Sequence, residues 1–360
     1  MTTLNVALIA GGRSVGHDVS RKNARSIYEA LDRKRYSPIL VDVARDGKWW
    51  LQENIKEFPL HSESSGAQIM FLPGGGGKAL VHRSNEGDGI CYVDVVFPTL
   101  LDGILEGVLE TAQVPFVGSR MPAPALCADK QITKRILRDA GLPTSRSLAL
   151  IDREEVQFKF AQEVLCSRSL FVKPASLHDS IGVNKVTCES EFKTAVDLAF
   201  SCGNKVLVEE DVEGRELHCA ILQDPLQPNN LLCSWPSEII LTDQHAFFTY
   251  RAKMEGKGVI FKTKAELDET AADRVRALAC EAFRVLGCEA LARVDFFMRP
   301  SGELLINEVG PSPSRTPSSM FSKMMEESGI PYNTLVQRLL EDAIKRSERD
   351  SKPMIELPPV

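Results

Sequence analysis

Several patterns are missing from this 360-residue sequence, and each absence excludes a class of protein. No run of about 18 apolar residues occurs, so we expect no membrane-spanning helix. Residues 1–12 lack a basic segment and contain too short an apolar run for a secretory signal peptide. A formal net charge of −6 argues against a nucleic-acid-binding surface, because such a surface needs clustered lysine and arginine.

The cysteines show no metal-binding or redox pattern. All nine lie outside Cys-x-x-Cys pairs and outside Cys/His spacings suited to zinc. Their odd number and their scatter through apolar segments are typical of reduced core thiols in a cytoplasmic protein. With 43% hydrophobic and 26% charged residues, the chain has an ordinary globular composition and enough length for two or three domains.

A glycine-rich segment at 73–77, followed by Lys78, superficially resembles a phosphate-binding loop. The P-loop pattern needs Gly at position 72 and Ser or Thr at position 79, where this chain has Leu72 and Ala79. The segment therefore predicts the tip of a hairpin.

The most informative segment is 291–319, which reads LARVDFFMRPSGELLINEVGPSPSRTPSS. Apolar runs at 292–298 and 303–309 flank a Pro/Gly turn and predict an antiparallel hairpin. Such pairing brings Asp295 and Glu308 side by side in otherwise apolar strands, where an unpaired charge is costly. Arg293 could neutralise them within a structural network, but two acids and one arginine leave one charge over. We therefore predict Mg²⁺ here, together with a bound phosphate.

The N-terminal third has a βαβ pattern. An apolar strand at 4–10 ends at two glycines, helical periodicity follows around 24–31, and 37–43 returns as a second strand. The loop 11–18 then lies at the carboxyl end of the first strand, where α/β sheets bind ligands. A further buried strand is predicted at 93–98, with a helix beginning near 103.

Two lysines occupy unusual positions. Lys130 follows Asp129, the predicted N-cap of a helix. The helix dipole disfavours a cation in the first turn, so Lys130 either meets an anionic ligand or is a solvated surface lysine. Lys173 lies in an apolar strand before a Ser/Gly loop at 175–182, and its partner is either a carboxylate or a phosphate. The predicted helix has an apolar stripe of three residues: Ile132, Ile136 and Ala140.

Five blocks, taken in order, resemble ATP-grasp ligases and in particular the D-alanine–D-alanine ligase family. They are AGGRSVGHDVS, DKQITKRILRDAGLP, LFVKPASLHDSIGV, VLVEEDVEGRE and the hairpin with its Pro/Ser-rich loop. The resemblance implies an α/β fold of the α+β ATP-grasp type. An N-terminal parallel-sheet βαβ domain spans 1–122, and two α+β subdomains over 123–209 and 210–346 clasp ATP. A flexible tail is expected over 347–360. It also implies a cytoplasmic homodimer that forms amides through an acyl phosphate, with an amino-acid-like substrate.

The same resemblance assigns the nucleotide-binding residues. The phosphates are held by three lysines: Lys130, Lys173 and Lys253. The flexible loop over ATP contributes Ser180 and Gly182. The adenine edge is lined by Glu209, Glu210 and Val212, and the ribose hydroxyls are bound by Glu216. Mg²⁺ or Mn²⁺ is held by Asp295 and Glu308. Arg293, aided by Lys253 and Ser180, stabilises the transferred phosphoryl group or the tetrahedral oxyanion.

On the amino-acid side the sequence departs from the family pattern. The glutamate that grips the first substrate's ammonium is replaced by Gly16, near Asp18, and the family's HGxxGEDG segment becomes 99–103. The family's metal-binding asparagine is Gly310 here, and its place could be taken by water, Asn307 or Ser312. The loop facing the second amino acid carries Arg315 and Ser319. Arg315 either binds a substrate carboxylate, points to solvent or pairs with an acid.

These departures favour a ligase whose substrate is not two D-alanines, and they predict that free D-alanine does not support ADP release. Three alternatives stand beside it: lactam closure of a single amino acid, a D-alanine–D-alanine ligase proper, and a degenerate nucleotide-binding relative without activity. Gly310 and Asp179 suggest the last of these. The joint presence of Lys173, Arg293, Asp295 and Glu308 favours an enzyme.

Overall fold

A computed structural model of the chain describes residues 3–14, 16–52, 67–83, 87–100, 105–177, 180–242 and 258–350. Its strands form three sheets, which follow one another along the chain. None of the helices in these ranges is long and apolar enough to span a membrane.

The first sheet has seven strands in the order β6-β5-β4-β3-β2-β1-β7. Its strands are β1 (Leu4–Gly11), β2 (Tyr36–Val43), β3 (Trp49–Gln52), β4 (Ala67–Phe71), β5 (Lys78–Arg83), β6 (Gly87–Tyr92) and β7 (Val95–Pro98). β1 pairs in parallel with β2 and β7, and the strands from β2 outward to β6 pair antiparallel. The predicted βαβ opening is confirmed, with α1 (His17–Ala30) between β1 and β2. The glycine-rich segment joins the antiparallel strands β4 and β5, so the hairpin prediction is confirmed.

Helices α2 (Leu105–Thr111), α3 (Pro122–Ala128) and α4 (Lys130–Asp139) lead into the second sheet. Asp129 caps α4 as predicted, because its side chain accepts hydrogen bonds from the backbone N–H groups of Gln131 and Ile132. The predicted apolar stripe of this helix is wrong: Ile132 and Ile136 are half-buried and Ala140 is exposed. The buried side chains are instead Lys130, Thr133, Lys134 and Leu137. The buried face of α4 therefore carries two lysines, Lys130 and Lys134.

The second sheet has four antiparallel strands in the order β10-β9-β11-β8. They are β8 (Ser147–Leu150), β9 (Leu170–Pro174), β10 (Asn184–Val186) and β11 (Val206–Glu210). Helices α5 (Phe158–Leu165) and α6 (Glu189–Ser201) contribute Phe158 and Phe192 to one apolar core with this sheet. Lys173 and Glu209 lie near the middle of this sheet, on its paired strands β9 and β11.

The third sheet contains β12 (Arg215–Gln223), β13 (Leu231–Cys233), β14 (Ser237–Leu241), β15 (Val259–Lys262), β16 (Leu291–Met298) and β17 (Leu304–Gly310). Its main path runs β15-β14-β12-β16-β17, and β13 pairs with β12. β13 and β14 are separate strands, joined by residues 234–236. Helix α7 (Glu269–Val285) packs its predicted apolar face on this sheet.

Helices α8 (Met320–Glu327) and α9 (Tyr332–Asp350) close the chain. Leu335, Leu339 and Leu340 of α9 share one apolar core with Val6 and Phe97 of the first sheet. The third sheet also enters this core through β12 and β16, so the core joins the first sheet to the third. α9 extends to Asp350, and the prediction of a loose tail from residue 347 is therefore wrong for its first four residues.

Candidate active site

The hairpin of β16 and β17 places two carboxylates opposite each other, as predicted. Asp295 and Glu308 are direct partners in the antiparallel register, and the register shifts immediately after Asp295. Such bulges bend a strand and re-aim its side chains, and they often lie beside active sites. Asp295 is 4% exposed, whereas the Glu308 side chain keeps 23% of its exposure.

Asp295 is held by two neighbouring side chains, Arg293 and His218. Arg293 donates to both of its oxygens, from Nε at 2.6 Å and from Nη2 at 2.7 Å. His218, directly opposite on β12, places Nδ1 2.7 Å from Asp295 Oδ1. Burial alone would raise the pKa of Asp295, but Arg293 and His218 outweigh burial and hold it well below its usual range.

His218 is a residue that the sequence analysis missed. Its Nε2 lies 3.4 Å from Glu216 Oε1 without forming a hydrogen bond, so His218 lies between the expected ribose ligand and the expected metal ligand. Burial lowers the pKa of His218, yet Asp295 more than offsets this and the net pKa is raised. The available signal was its position two residues after Glu216, since residues i and i+2 of a strand share a face.

Glu308 has its own cation. Lys130 Nζ lies 3.5 Å from Glu308 Oε1 and donates to the backbone oxygen of Leu177 at 2.5 Å. Lys130 is buried because it lies on the inner face of α4. The alternative of a solvated surface lysine is therefore wrong. Lys130 therefore meets the one negative charge that Arg293 alone could not balance. The leftover charge is no argument for a metal.

Lys173 meets a carboxylate within the protein. Its Nζ lies 2.6 Å from Glu209 Oε2, and Lys134 Nζ lies 2.9 Å from Glu209 Oε1. The second contact is an ion pair without the angle of a good hydrogen bond. Burial would raise the pKa of Glu209, but Lys134 and Lys173 hold it at about 2. Lys134 was also missed, although its position four residues after Lys130 puts both on one helix face.

The predicted adenine edge is the turn between β11 and β12. The Glu209 carboxylate is held by lysines, and the Glu210 carboxylate lies 2.6 Å from Arg146 Nη2 and 2.7 Å from Arg299 Nη2. Both acids are therefore committed to cations of the chain. Val212 is half-buried in the turn, and Glu216 is half-buried in β12.

The loop after β9 has the backbone conformation of an anion-binding segment at two positions. Ser180 and Gly182 have φ values of 60° and 72°. A Cβ on Gly182 would lie 2.9 Å from Pro174 Cγ, so this position needs glycine. Successive backbone N–H groups in such conformations can converge on an anion. Lys253, His178 and Asp179 lie outside the described residues.

Three of the residues expected to face the amino acids have ordinary structural environments. Gly16 is buried directly before α1, and its carbonyl accepts a hydrogen bond from Ser20 N–H at 2.8 Å. Asp18 has a 74% exposed side chain, 3.5 Å from Arg45. Ser319 is the N-cap of α8, accepting from the N–H of Ser322 at 3.2 Å.

Arg315 is different, because it is almost completely buried. It is 1% exposed, and Nη2 donates to Pro98 O at 2.9 Å and to Ser312 Oγ at 3.3 Å. The guanidinium carbon lies 5.5 Å from the centre of the Phe97 ring. Burial lowers the pKa of Arg315 to about 10, and Glu106 opposes that shift. Arg315 therefore does not point to solvent; it lies at the carboxyl end of β7.

The facing carboxylates suit a magnesium ion that is shared with phosphate. No group of three or more His, Cys, Asp or Glu side chains within the described ranges is arranged to hold a metal. Mg²⁺, however, usually takes only one or two carboxylates and completes its shell with water and phosphate oxygens. Asp295 Oδ1 is contacted by both Arg293 and His218, but Oδ2 accepts one hydrogen bond from Arg293 and keeps a second lone pair for an ion.

Comparison with known proteins decides the family. The family model described as "D-ala D-ala ligase N-terminus" matches residues 5–119, and "D-ala D-ala ligase C-terminus" matches residues 136–341. A D-alanine–D-alanine ligase A from Mesorhizobium japonicum is 39% identical over 356 residues, covering 95% of this chain and 97% of the relative. The chain belongs to the D-alanine–D-alanine ligase family.

Solved structures of this family have the same fold. The D-alanine–D-alanine ligase from Coxiella burnetii superposes with a TM-score of 0.83 at 30% identity, covering 97% of this chain and 96% of that one. A D-Ala:D-Ser ligase from Enterococcus faecalis gives 0.82 at 28% identity, covering 95% and 100%. The protein thus has the ATP-grasp fold and is an ATP-dependent ligase that forms carbon–nitrogen bonds with ATP and Mg²⁺.

The expectation of a substrate other than two D-alanines is not supported. Gly16 and 99–103 lie inside the matched N-terminal range, and Gly310 and Arg315 lie inside the matched C-terminal range. The departures at these positions therefore do not remove either half from the family. The comparisons favour the alternative of a D-alanine–D-alanine ligase proper over the main expectation.

Proposed function

We propose that the protein joins two D-alanine molecules into D-alanyl-D-alanine. The supporting observation is that both halves of the chain match this family in order, and that a relative of this name is 39% identical across 95% of the chain. The two facing carboxylates, the buried lysines and Arg293 give such a reaction the charges it needs.

The proposed reaction has two steps. A carboxylate oxygen of the first D-alanine attacks the γ-phosphorus of ATP, which gives an acyl phosphate and ADP. The amine of the second D-alanine then attacks the acyl carbon, loses a proton and expels phosphate. Positioning of the reactants and neutralisation of charge supply most of the catalysis in reactions of this kind.

Most of the proposed nucleotide-binding residues compensate the negative charge of the phosphates. Lys130 and Lys173 hold phosphates, joined by Lys253, and the loop with Ser180 and Gly182 covers them. Val212 lies beside the adenine, and Glu216 accepts hydrogen bonds from the ribose hydroxyls. Mg²⁺, held by Asp295 and Glu308, screens the phosphate charge. Glu308 would hold Mg²⁺ in place of its contact with Lys130, and the Lys130 ammonium would then be available to a phosphate.

Arg293 is the proposed catalytic cation. Two hydrogen bonds to Asp295 fix the orientation of its guanidinium. A fixed donor costs little reorganisation when charge develops on the phosphoryl group or on the tetrahedral oxyanion. Because Arg293 is hydrogen-bonded to the metal ligand Asp295, the catalytic cation and the metal site are held in a fixed relative position.

The amino-acid side is proposed to use the carboxyl end of the first sheet. Gly16, Asp18, Arg315 and Ser319 all lie near this edge or in the loop between β17 and α8. Arg315 is the strongest candidate among them, since a buried guanidinium binds a planar carboxylate in a bidentate manner. We assign it to the carboxylate of the second D-alanine.

Purified protein with ATP, Mg²⁺ and D-alanine tests the proposal. We expect ADP release that depends on D-alanine, and a product with the mass of two alanines less one water. D-Serine and L-alanine are offered separately as acceptors, because the Enterococcus relative is named for D-serine. A product of one substrate less one water, or no ADP release with any amino acid despite nucleotide binding, would exclude the proposal.

We also propose the domain boundaries at 122, 209 and 346 and a cytoplasmic homodimer. Residue 122 precedes the second sheet, residue 209 lies in β11, the last strand of that sheet along the chain, and residue 346 follows the third sheet, inside α9. The assembly and location rest on the family resemblance. Light scattering of the purified protein measures the mass of the particle, and a monomer mass of 39.8 kDa at micromolar concentration would exclude the dimer.

A further inference from the structure

Lys134, Glu209 and Lys173 form a buried chain of three charges that joins α4 to the second sheet. The two ammonium groups approach different oxygens of one carboxylate, at 2.9 Å from Lys134 and 2.6 Å from Lys173. Lys134 is anchored further by a 2.6 Å hydrogen bond to Ser145 Oγ. The three residues are 1%, 4% and 8% exposed for Lys134, Glu209 and Lys173, so water screens these charges poorly.

The charge of this cluster is not balanced. Two ammonium groups and one carboxylate leave a net charge of one positive unit, and Lys130 is close enough to Lys173 for repulsion to add to burial in lowering the pKa of Lys130. Lys134 and Glu209 are the most enclosed members, whereas Lys173 is the most exposed. The surplus charge is therefore available at the Lys173 end, beside the loop 175–182.

Geometry makes Lys134 the fixed end. α4 and Ser145 hold the Lys134 ammonium, which holds Glu209 Oε1 and leaves Oε2 directed at Lys173. Without the Lys134 charge, Lys173 and Glu209 would form a neutral pair, and the attraction between Lys173 and an anion would weaken. With both lysines in place, the Glu209 carboxylate contacts Lys173 and is not available to the adenine edge.

We propose that Lys134 is a positioning residue for the phosphates of ATP, acting through Glu209 on the Lys173 ammonium. This inference rests on the proposed phosphate role of Lys173. It assigns a function to a lysine that the sequence analysis did not single out, and it moves Glu209 from the adenine to the phosphate part of the nucleotide site.

Equilibrium binding with two probes tests it without turnover. A fluorescent N-methylanthraniloyl-ADP is displaced from the protein by ADP or by adenosine, which has no phosphate. Lys134→Met removes the charge and keeps most of the side-chain volume. We expect the dissociation constant of ADP to rise about tenfold and that of adenosine to stay within about twofold. Equal losses for both probes, or no loss for ADP, would overturn the proposal.

Two further variants separate charge from packing. Lys134→Arg keeps the cation, and we expect ADP affinity within about threefold of the parent. Lys205→Met removes another lysine of the same region, ion-paired to Asp129 at 2.6 Å but not to Glu209, and is expected to leave both probes unchanged. If Lys205→Met weakens ADP as much as Lys134→Met, the effect is not specific to the cluster and the inference is lost.

Substitutions at the other two members distinguish the inference from the proposed function. Lys173→Met should weaken ADP more than Lys134→Met; if it leaves ADP binding unchanged, the phosphate role of Lys173 itself is wrong. Glu209→Gln should leave adenosine binding unchanged, and a loss there would return Glu209 to the adenine. Should Lys134→Met fail to fold, as judged by circular dichroism, Ser145→Ala loosens the same ammonium and should weaken ADP about twofold to threefold, again without affecting adenosine.

Discussion

The two sides of the candidate active site differ in how their buried charges are compensated. On the nucleotide side, Lys134 and Lys173 share Glu209, and Lys130 faces Glu308. On the amino-acid side, Arg315 is more deeply buried than Lys130 or Lys173, yet its Nε and Nη1 find no acceptor in the part of the chain that the structure describes. The nucleotide side is preorganised by internal ion pairs, whereas the amino-acid side contains a buried cation, Arg315, with unused hydrogen-bond donors.

The difference has a physical consequence for ligand binding. Internal ion pairs keep a site folded without its ligand, but the ligand must then displace or share those partners. A buried cation with unused donors destabilises the empty protein and gains most when an anion arrives. The nucleotide side should therefore tolerate the loss of its ligand well, and the amino-acid side should be sensitive to the charge of Arg315.

The largest effect is expected at Glu308. Glu308→Gln keeps the shape but removes the charge that holds Mg²⁺, so kcat should fall by about 10³-fold, or about 4 kcal/mol. Steady-state ADP release measures this. The melting temperature should also fall, because buried Lys130 loses its carboxylate partner. Glu303→Gln, in the same hairpin and with 56% side-chain exposure, is the matched control and should behave as the parent. Turnover of Glu308→Gln at the parental rate would remove Glu308 from the metal site.

The next effect is the acid sensitivity of the nucleotide side. Glu209 has a pKa of about 2 in the folded protein and an ordinary value of 4.5 when unfolded. The unfolded chain takes up its proton first as the pH falls, so this group stabilises the fold above pH 4.5 and loses that contribution toward pH 2. The loss is about 3 kcal/mol. Urea unfolding at pH 5, 4 and 3 measures the trend, and carboxyl NMR that places the Glu209 titration near 4.5 would contradict it.

Arg315→Met addresses the uncompensated side. Removing a buried cation whose Nε and Nη1 find no acceptor among the described residues should leave the free energy of unfolding unchanged or raise it. The KM for D-alanine should nevertheless rise about 30-fold, or about 2 kcal/mol, because a bidentate carboxylate contact is lost, while the KM for ATP stays constant. Arg338→Met, an exposed arginine of α9, is the control. An unchanged KM for D-alanine together with a lower melting temperature would make Arg315 purely structural.

The smallest effect separates two roles of Ser319. Ser319→Ala removes the N-cap of α8 and should lower the free energy of unfolding by about 1 kcal/mol. Asp268→Ala removes the N-cap of α7 and should cost a similar amount. If Ser319 also binds substrate, only Ser319→Ala raises the KM for D-alanine. Equal kinetics for the two variants would restrict Ser319 to capping.

Local sequence patterns predicted the elements that their own residues stabilise. The hairpin with Asp295 opposite Glu308 followed from two apolar runs around a Pro/Gly turn, and its register is confirmed. The N-cap at Asp129 was also correct. These features depend on residues that are close to each other in the sequence, so they can be predicted without knowledge of the tertiary fold.

The same helix shows where local patterns fail. Its apolar stripe predicted a core-facing side at Ile132 and Ile136, but α4 buries Lys130 and Lys134 because the second sheet offers Glu209 and the hairpin offers Glu308. Those partners lie between 75 and 178 residues away in the chain. A buried lysine cannot be recognised from its neighbours in sequence when the acid that permits burial is so distant.

The sequence by itself determined the family, the order of the blocks and the pairing of Asp295 with Glu308, since these depend on residue identity and on short-range periodicity. Only the tertiary structure decided the partners of the charges: His218 beside Asp295, Lys134 beside Glu209, and Arg315 enclosed at the end of β7. The reason is electrostatic. A charge can be buried only where a partner or a ligand compensates it, and that compensation is set by packing between separate sheets rather than by the local chain.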